Sequence, residues 1–290
     1  MNVMTEKLHL GSGPSIGAML IDSGRLAPAD AESILRLQSA QGMRFGDAAV
    51  QLGLLSDEDV QQALSQQYDY PYLMAGDECV SEEVVAAFKP FSPFVEQLRA
   101  LRSQLLLRWF DADTGGGKAL AVLSPDSGEG RSFIAANLAV VFSQLGQRTL
   151  LIDADLRKPR QHQLFRLPNK LGLSSILAGR AVLTEAIGCI PRLNGLCVLP
   201  AGAVPPNPQE LLSREAFANL METLPGRYDV IIVDTPAAAE TADHQTIAVR
   251  ARGSLVVARR NVSFAPRLQA LLQSLHQSGA TVVGSVLNQG

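Results

Sequence analysis

The chain has 290 residues, with 25 Lys and Arg against 28 Asp and Glu and a formal net charge of −3, so its overall charge calls for neither nucleic acid nor an anionic membrane. Hydrophobic residues make up 47%, enough for a sizeable core in one large domain or two ordinary ones. The three cysteines, Cys79, Cys189 and Cys197, are odd in number and lack a C-x-x-C spacing, which suits a reducing compartment and argues against structural zinc. The opening residues, Met1-Asn-Val-Met-Thr-Glu-Lys7, do not lead into the apolar run of a signal peptide. No apolar stretch approaches the roughly 18 residues of a membrane span. A cytoplasmic protein without direct membrane insertion is expected, peripheral to the inner membrane only through a partner.

In chain order, residues 1–14 are polar, end in Gly, Ser and Pro, and are expected to be disordered. An internal repeat follows over residues 15–72. Ser15-Ile-Gly17-Ala-Met-Leu-Ile-Asp-Ser-Gly24-Arg-Leu26 aligns with Arg44-Phe-Gly46-Asp-Ala-Ala-Val-Gln-Leu-Gly53-Leu-Leu55, and Leu35 and Gln38 align with Leu64 and Gln67. Each copy reads as a short helix, a glycine-ended turn and a second helix. Ser56 is a good N-cap with Asp59 at the capping-box position. Tyr68, Tyr70 and Tyr72 close this small helical domain, and aromatic packing at a chain exit accounts for them.

Residues 73–118 read as a connecting segment. It contains a short helix, Ser81–Phe88, and a longer one over 93–110 with Leu98, Leu101 and Leu105 on one face. Glu96, Arg99 and Arg102 lie on that longer helix at i,i+3 spacing. Asp111–Lys118 is a glycine-rich linker.

The last part, 119–290, is predicted to be α/β, a doubly wound and mainly parallel sheet around a P-loop. Strand Ala119–Ser124 leads through Pro125-Asp-Ser127-Gly128-Glu129-Gly130-Arg131-Ser132 into a helix from Phe133. Strand, glycine-bearing loop and helix in that order direct backbone N–H groups and a helix N-terminus at a phosphate. The alternative is an ordinary strand-to-helix turn, since Pro125 stands where G-x-x-x-x-G-K-[ST] has its first Gly and Arg131 stands in place of the Lys. Two further strands end in acids: Arg148-Thr-Leu-Leu-Ile-Asp153-Ala-Asp155 and Tyr228–Asp234. Carboxylates at the carboxyl edge of a parallel sheet can hold Mg²⁺ or accept a proton from an attacking hydroxyl. Strands Ser254–Ala258 and Thr281–Leu287 complete the expected sheet, and Asn207 with Pro208 reads as a helix cap.

Two resemblances add to this. The repeat resembles the N-terminal module of type II secretion and pilus ATPases (MshEN). This resemblance implies a protein-contact module or a cyclic di-GMP receptor using Gly17, Gly46 and the opening cation Arg44; Ser15 replaces that cation in the first copy. Residues 93–290 resemble the bacterial tyrosine kinases (BY-kinases), and the fusion as a whole resembles the EpsG-type chain-length-determinant kinases of exopolysaccharide export. Leu150–Arg157 matches their second Walker A motif, Ile231–Pro236 their Walker B, and Gly202–Leu212 a further hallmark. The BY-kinase resemblance implies ATP and Mg²⁺ as cofactors, with nucleotide bound by Ser127, Gly128, Glu129, Gly130, Arg131, Ser132, Phe133 and Asn288. It implies Ser132, Asp153 and Asp234 at the metal, and Asp153, Asp155 and Arg131 in catalysis, with Asp153 activating the acceptor hydroxyl. It also implies homo-oligomers assembled through Glu96, Arg99 and Arg102 beneath a membrane-bound polysaccharide co-polymerase. Two departures stand out: Arg131, and the absence of a tyrosine-rich stretch after the last strand. They keep a second reading open, a nucleotide-dependent regulatory ATPase with little kinase turnover. A partitioning ATPase itself is disfavoured, because Asp126 stands where that family has its signature Lys.

Overall fold

The computed structural model describes residues 15–57, 59–60, 63–64, 71–74, 76–111 and 118–289. The expected disorder of 1–14, the packing of Tyr68 and Tyr70, and most of the 111–118 linker lie outside them. The chain divides into two compact units, residues 1–71 and 72–290.

The first unit begins with α1 (Ile16–Asp22), α2 (Pro28–Gln41) and α3 (Phe45–Gln51), and residues 57, 59–60 and 63–64 are also helical. The sequence repeat is a repeat of hydrogen bonds. Arg25 and Leu26 N–H both donate to Leu20 O, and Leu54 and Leu55 N–H both donate to Ala49 O. Gly24 and Gly53 make this turn at φ 71° and 66°, a region closed to most side chains. Leu20, Leu26, Ile34, Ala48, Ala49 and Leu55 form the core. The capping box is present: Ser56 Oγ accepts from Asp59 N–H at 3.1 Å, and Asp59 Oδ2 accepts from Ser56 N–H at 3.0 Å. A cleft of about 580 Å³ lies over α1, lined by Ser15, Gly17, Leu35, Gln38 and Phe45 among others.

The second unit runs α4 (Val85–Phe88), α5 (Pro93–Leu105), β1 (Ala119–Leu123), α6 (Arg131–Gln144), β2 (Thr149–Asp153), α7 (Gln161–Leu164), α8 (Leu173–Leu177) and α9 (Leu183–Ala186). It continues β3 (Gly188–Cys189), β4 (Leu196–Leu199), α10 (Pro208–Ser213), α11 (Glu215–Thr223), β5 (Val230–Asp234), α12 (Asp243–Ala251), β6 (Gly253–Arg259), α13 (Ala265–Gln277) and β7 (Thr281–Asn288). The sheet order is β3-β4-β2-β5-β1-β6-β7, parallel except for the β3–β4 pair at one edge. Strand residues alternate between two cores. Leu120, Val122, Leu151 and Ile232 face one, and Ala121, Leu123, Ile152 and Val233 face the other. A sheet covered on both faces needs apolar residues at every position, which is why these strands read as continuous apolar runs.

Helix α6 has 12 buried residues of its 14. It is apolar nearly all round, because it lies between the sheet and an outer layer. That layer is the segment expected to be a connector. Leu73, Val80, Val84, Ala86 and Ala87 belong to the same core as the sheet, and the buried Asn137 Oδ1 of α6 accepts from Ala86 N–H at 2.8 Å.

Four local expectations are corrected. The Ser81–Phe88 helix is helical only over Val85–Phe88. The 93–110 helix is α-helical to Leu105 and then widens into a π turn over Leu106–Phe110. The extra residue in that turn lets Phe110 enter the core while Trp109 Nε1 donates to Ala119 O at 2.9 Å. Asn207 holds the N-cap position of α10 without a capping hydrogen bond from its side chain. Cys189 and Cys197, read as suiting a reducing compartment, face each other across β3 and β4 as a disulfide, leaving Cys79 the free thiol among the described residues. The sequence reading also passed over β4, whose four residues are too short a run to register as a strand.

Candidate active site

Strand order builds the site. Inserting β5 between β1 and β2 places Asp234 in register with both Val122 of β1 and Asp153 of β2. The loop after β1, the acids after β2 and the acid ending β5 therefore meet at one carboxyl edge.

The loop from Ser124 to Gly130 turns at Gly128 and Gly130, with φ 81° and 94°. A Cβ on Gly130 would also lie 2.2 Å from Asn288 Nδ2, so only glycine fits there. Glu129 is fully buried beneath the loop. One of its oxygens accepts from Asp126 N–H at 2.8 Å, and the other from the Ser263 hydroxyl. Asn288 Nδ2 donates to Glu129 O at 3.0 Å, and Arg259 Nη1 to Gly128 O at 3.1 Å. The Gly128 and Glu129 carbonyls are thus turned to neighbouring elements, while the Glu129 carboxylate braces the loop from within. The N–H groups of Arg131, Ser132 and Phe133 head α6 and have no intrahelical acceptor, the usual way a helix start offers itself to phosphate. Ser127 and Gly128 are exposed at the loop tip. The Phe133 ring packs on Phe94 with centroids 5.3 Å apart, so the backbone is what Phe133 can offer a nucleotide.

The three aspartates differ in how fully they are held. Asp153 is fully buried. Its Oδ1 accepts from Asp155 N–H at 3.2 Å, and its Oδ2 from Arg160 and Gln161 N–H at 2.9 Å each. Asp155 Oδ1 accepts from Arg157 and Lys158 N–H at 3.2 and 2.9 Å. Its Oδ2 lies 3.6 Å from Arg131 Nη2. Asp234 Oδ2 accepts from Gln161 Nε2 at 2.7 Å. Its Oδ1 is buried without a hydrogen bond, 3.7 Å from Arg131 Nε.

Burial, and then the neighbouring Asp234 charge, holds the Asp153 carboxyl well above the usual range. Burial raises Asp234 as well, opposed first by Arg131 and then by bonds from Gln161 and Ser132. Arg131 is itself buried, and its Nη1 donates to Ser124 Oγ at 2.6 Å.

Among the described residues no group of three or more His, Cys, Asp or Glu side chains is arranged to hold a metal by itself. Mg²⁺ does not need one, since it is commonly held by one or two side chains together with phosphate oxygens. Ser132, whose hydroxyl helps to lower the Asp234 carboxyl, together with the unpartnered Asp234 Oδ1 is such a donor set. Loop and aspartates therefore fit a Mg²⁺–nucleotide.

The other sequence-derived residues lie elsewhere. Glu96 and Arg99 pair on the outer face of α5, with the Arg99 guanidinium over the Phe91 ring. Arg102 turns inward and donates from Nη1 to Val141 O at 2.7 Å. Gly17, Arg44 and Gly46 belong to the first unit. Arg44 is exposed, and a Cβ on Gly46 would lie 2.5 Å from Val60 Cγ1. The sequence reading missed Ser124 and Gln161. Gln161 follows Asp153 at a distance that only the folded loop makes meaningful, and Ser124 looked like the end of a strand.

Residues 120–289 match the family described as CobQ/CobB/MinD/ParA nucleotide binding domain. The chain is 35% identical over 209 residues to the tyrosine-protein kinase YwqD of Bacillus subtilis, covering 72% of this chain and 86% of YwqD. Among solved structures, the chimerical protein CapA2B2 superposes with a TM-score of 0.67 at 33% identity, covering 81% of this chain and 99% of that one. The kinase domain of the Escherichia coli tyrosine kinase Etk gives a TM-score of 0.67 at 34% identity, covering 71% and 79%. The chain spans 28% of the length of the whole Etk protein of Escherichia coli strain K12. No helix among the described residues is long and apolar enough to cross a membrane. The chain belongs to the CobQ/CobB/MinD/ParA nucleotide-binding family and, within it, to the bacterial tyrosine kinases.

Proposed function

We propose that this chain transfers the γ-phosphoryl group of ATP to tyrosine and that its state regulates exopolysaccharide polymerisation and export with a membrane-bound co-polymerase. The observation that carries the transfer is the meeting of Ser132, Asp153, Asp155 and Asp234 with the glycine-bearing loop and the N-terminus of α6 at one sheet edge. The loop and the start of α6 cradle the phosphates, and Ser132 with Asp234 holds Mg²⁺, which when bound neutralises charge on the phosphate oxygens.

Asp153 is the base for the acceptor hydroxyl. Its raised proton affinity favours taking up a proton from the hydroxyl. To act, it must release one oxygen from the 155–161 loop that now caps it. A second assignment is favoured by one observation, that Asp155 Oδ2 has no backbone donor and already faces the cluster. The exposed Glu96 and the Arg99 beside it suit a homo-oligomeric contact, with Arg102 holding α5 to α6.

The first unit is a contact module of the MshEN kind. Its cleft is lined by small and apolar side chains and Gln38, with no cation among the described residues that line it, which favours a protein partner over the dianionic cyclic di-GMP.

The test is incubation of the purified chain with labelled Mg²⁺–ATP and a tyrosine-rich acceptor peptide, followed by phosphoamino-acid analysis. Phosphotyrosine is expected. Hydrolysis of ATP with no phosphotyrosine would replace this reading by the regulatory ATPase.

A further inference from the structure

Arg131 departs from the lysine of the P-loop pattern, and the structure shows where the difference leads. A lysine would present one compact charge to the phosphates. The guanidinium of Arg131 instead lies inside the site, 8% exposed. It is anchored by Nη1 on Ser124 Oγ at 2.6 Å and sits between Asp155 Oδ2 and Asp234 Oδ1 at 3.6 and 3.7 Å.

Those last two separations are too long for hydrogen bonds. Arg131 Nε and Asp234 Oδ1 are accordingly both buried without a hydrogen-bond partner. The guanidinium neutralises the acids without saturating them. Asp153 offers no such attachment, since both its oxygens are taken by backbone N–H groups.

We propose that Arg131 is a built-in counter-ion that occupies the cation position of the nucleotide-free site, so that a divalent metal enters only when arriving phosphates draw the guanidinium away. This rests on reading Ser132 and Asp234 as the metal's donors. The phosphates supply a better partner for the planar fork than two distant single oxygens do. Once the fork turns to them, Asp234 Oδ1 and Asp155 Oδ2 are released together. Metal and nucleotide are then coupled through one side chain, and Ser124 is the positioning residue that sets how firmly the fork is parked.

The experiment is Mn²⁺ binding to the nucleotide-free full chain, read by the loss of the free-ion electron paramagnetic resonance signal. Arg131→Met removes the charge and keeps much of the length. It is expected to bind Mn²⁺ about tenfold tighter than the wild type or better, the size of one nearby charge in a partly screened site. Adding Asp234→Ala to Arg131→Met should abolish the gain, which places the ion at this site. Ser124→Ala keeps the cation but loosens its anchor, and should gain several-fold, giving a second readout if Arg131→Met fails to fold by circular dichroism.

Equal Mn²⁺ affinity in the wild type and in whichever of these variants folds would overturn the proposal. So would a gain that survives Asp234→Ala. Neither outcome touches the reading of phosphoryl transfer to tyrosine, because no nucleotide is present; the second would remove only Asp234 as a donor to the metal. Conversely, failure to form phosphotyrosine would sink that reading and leave these affinities as they are.

Discussion

Two carboxylate sites, one in each unit, have been pushed in opposite directions. Asp59, in the helical repeat, lies below the ordinary carboxylate value, chiefly through its hydrogen bonds with Ser56 and with Arg25 beside it. Asp153 and Asp234, at the sheet edge, lie above it, chiefly through burial. In the repeat a half-exposed charge is matched by local donors. At the sheet edge two acids, Asp155 and Asp234, share one buried guanidinium, and Arg131 Nε, Gln161 Oε1 and Asp234 Oδ1 are left without hydrogen-bond partners. Buried polar atoms are seldom left unpaired without a reason, and local rules tend to be broken where a protein does its work. The repeat is built to hold its shape, and the sheet edge is built to receive something.

The largest expected effect comes from removing the best-held acid. Asp153→Asn should lower phosphotyrosine formation on the order of 10³-fold, the usual scale for losing a general base. It should also lower the unfolding temperature of the nucleotide-free protein. An asparagine has one acceptor oxygen, so its amide N–H₂ must face at least one of the N–H groups of Asp155, Arg160 and Gln161 that now donate to Asp153. Full transfer activity by this variant, with Asp155→Asn inactive, would move the base to Asp155.

How much of this was legible beforehand follows from how local each signal is. The α/β class, five of the seven strands and the acidic strand ends could be read because they are short-range patterns of apolar runs ending in Asp. The repeat could be read because its turn is a local hydrogen-bond pattern reused at Gly24 and Gly53. The insertion of β5 between β1 and β2, the Gln161 bridge, the Ser124 anchor and the Cys189–Cys197 pairing are long-range in sequence or depend on register. No spacing rule reports them. The outer layer formed by Leu73, Val80 and Val84 was misread as a connector because it has little regular secondary structure, though its side chains are wholly buried.

A moderate effect should separate the two regions by pH. A carboxyl raised by burial favours the protonated folded state. Its contribution to stability is complete below the ordinary carboxylate value, and is lost as pH rises through the raised value. The nucleotide-free sheet unit should therefore lose stability as pH climbs through the range in which Asp153 and Asp234 ionise. Asp234→Asn, which cannot ionise, should flatten that part of the profile. Thermal unfolding of wild type and variant across a pH series checks this, and parallel profiles would show that the Asp234 charge is already matched in the folded state.

The smallest effect belongs to the repeat and has the opposite sign. Asp59 is lowered, so its contribution is present above the ordinary carboxylate value and is lost as pH falls through the folded value. Ser56 is the origin of that shift, with Ser56 Oγ accepting from Asp59 N–H while Ser56 N–H and hydroxyl both donate to Asp59 Oδ2. Ser56→Ala removes the hydroxyl and leaves the backbone donor, and should cost about 1 kcal/mol, the usual value for an N-cap. The loss should appear as faster amide hydrogen exchange at Asp59 and Val60, with exchange in β2 and β5 unchanged. It should also bring the Asp59 carboxyl back toward 3.8, visible in a side-chain carboxyl titration by nuclear magnetic resonance. If Asp59 kept its lowered value in the variant, Arg25 at 3.0 Å would be what holds it. The repeat would then depend on a partly exposed ion pair rather than on its cap, and would weaken with added salt as such pairs do.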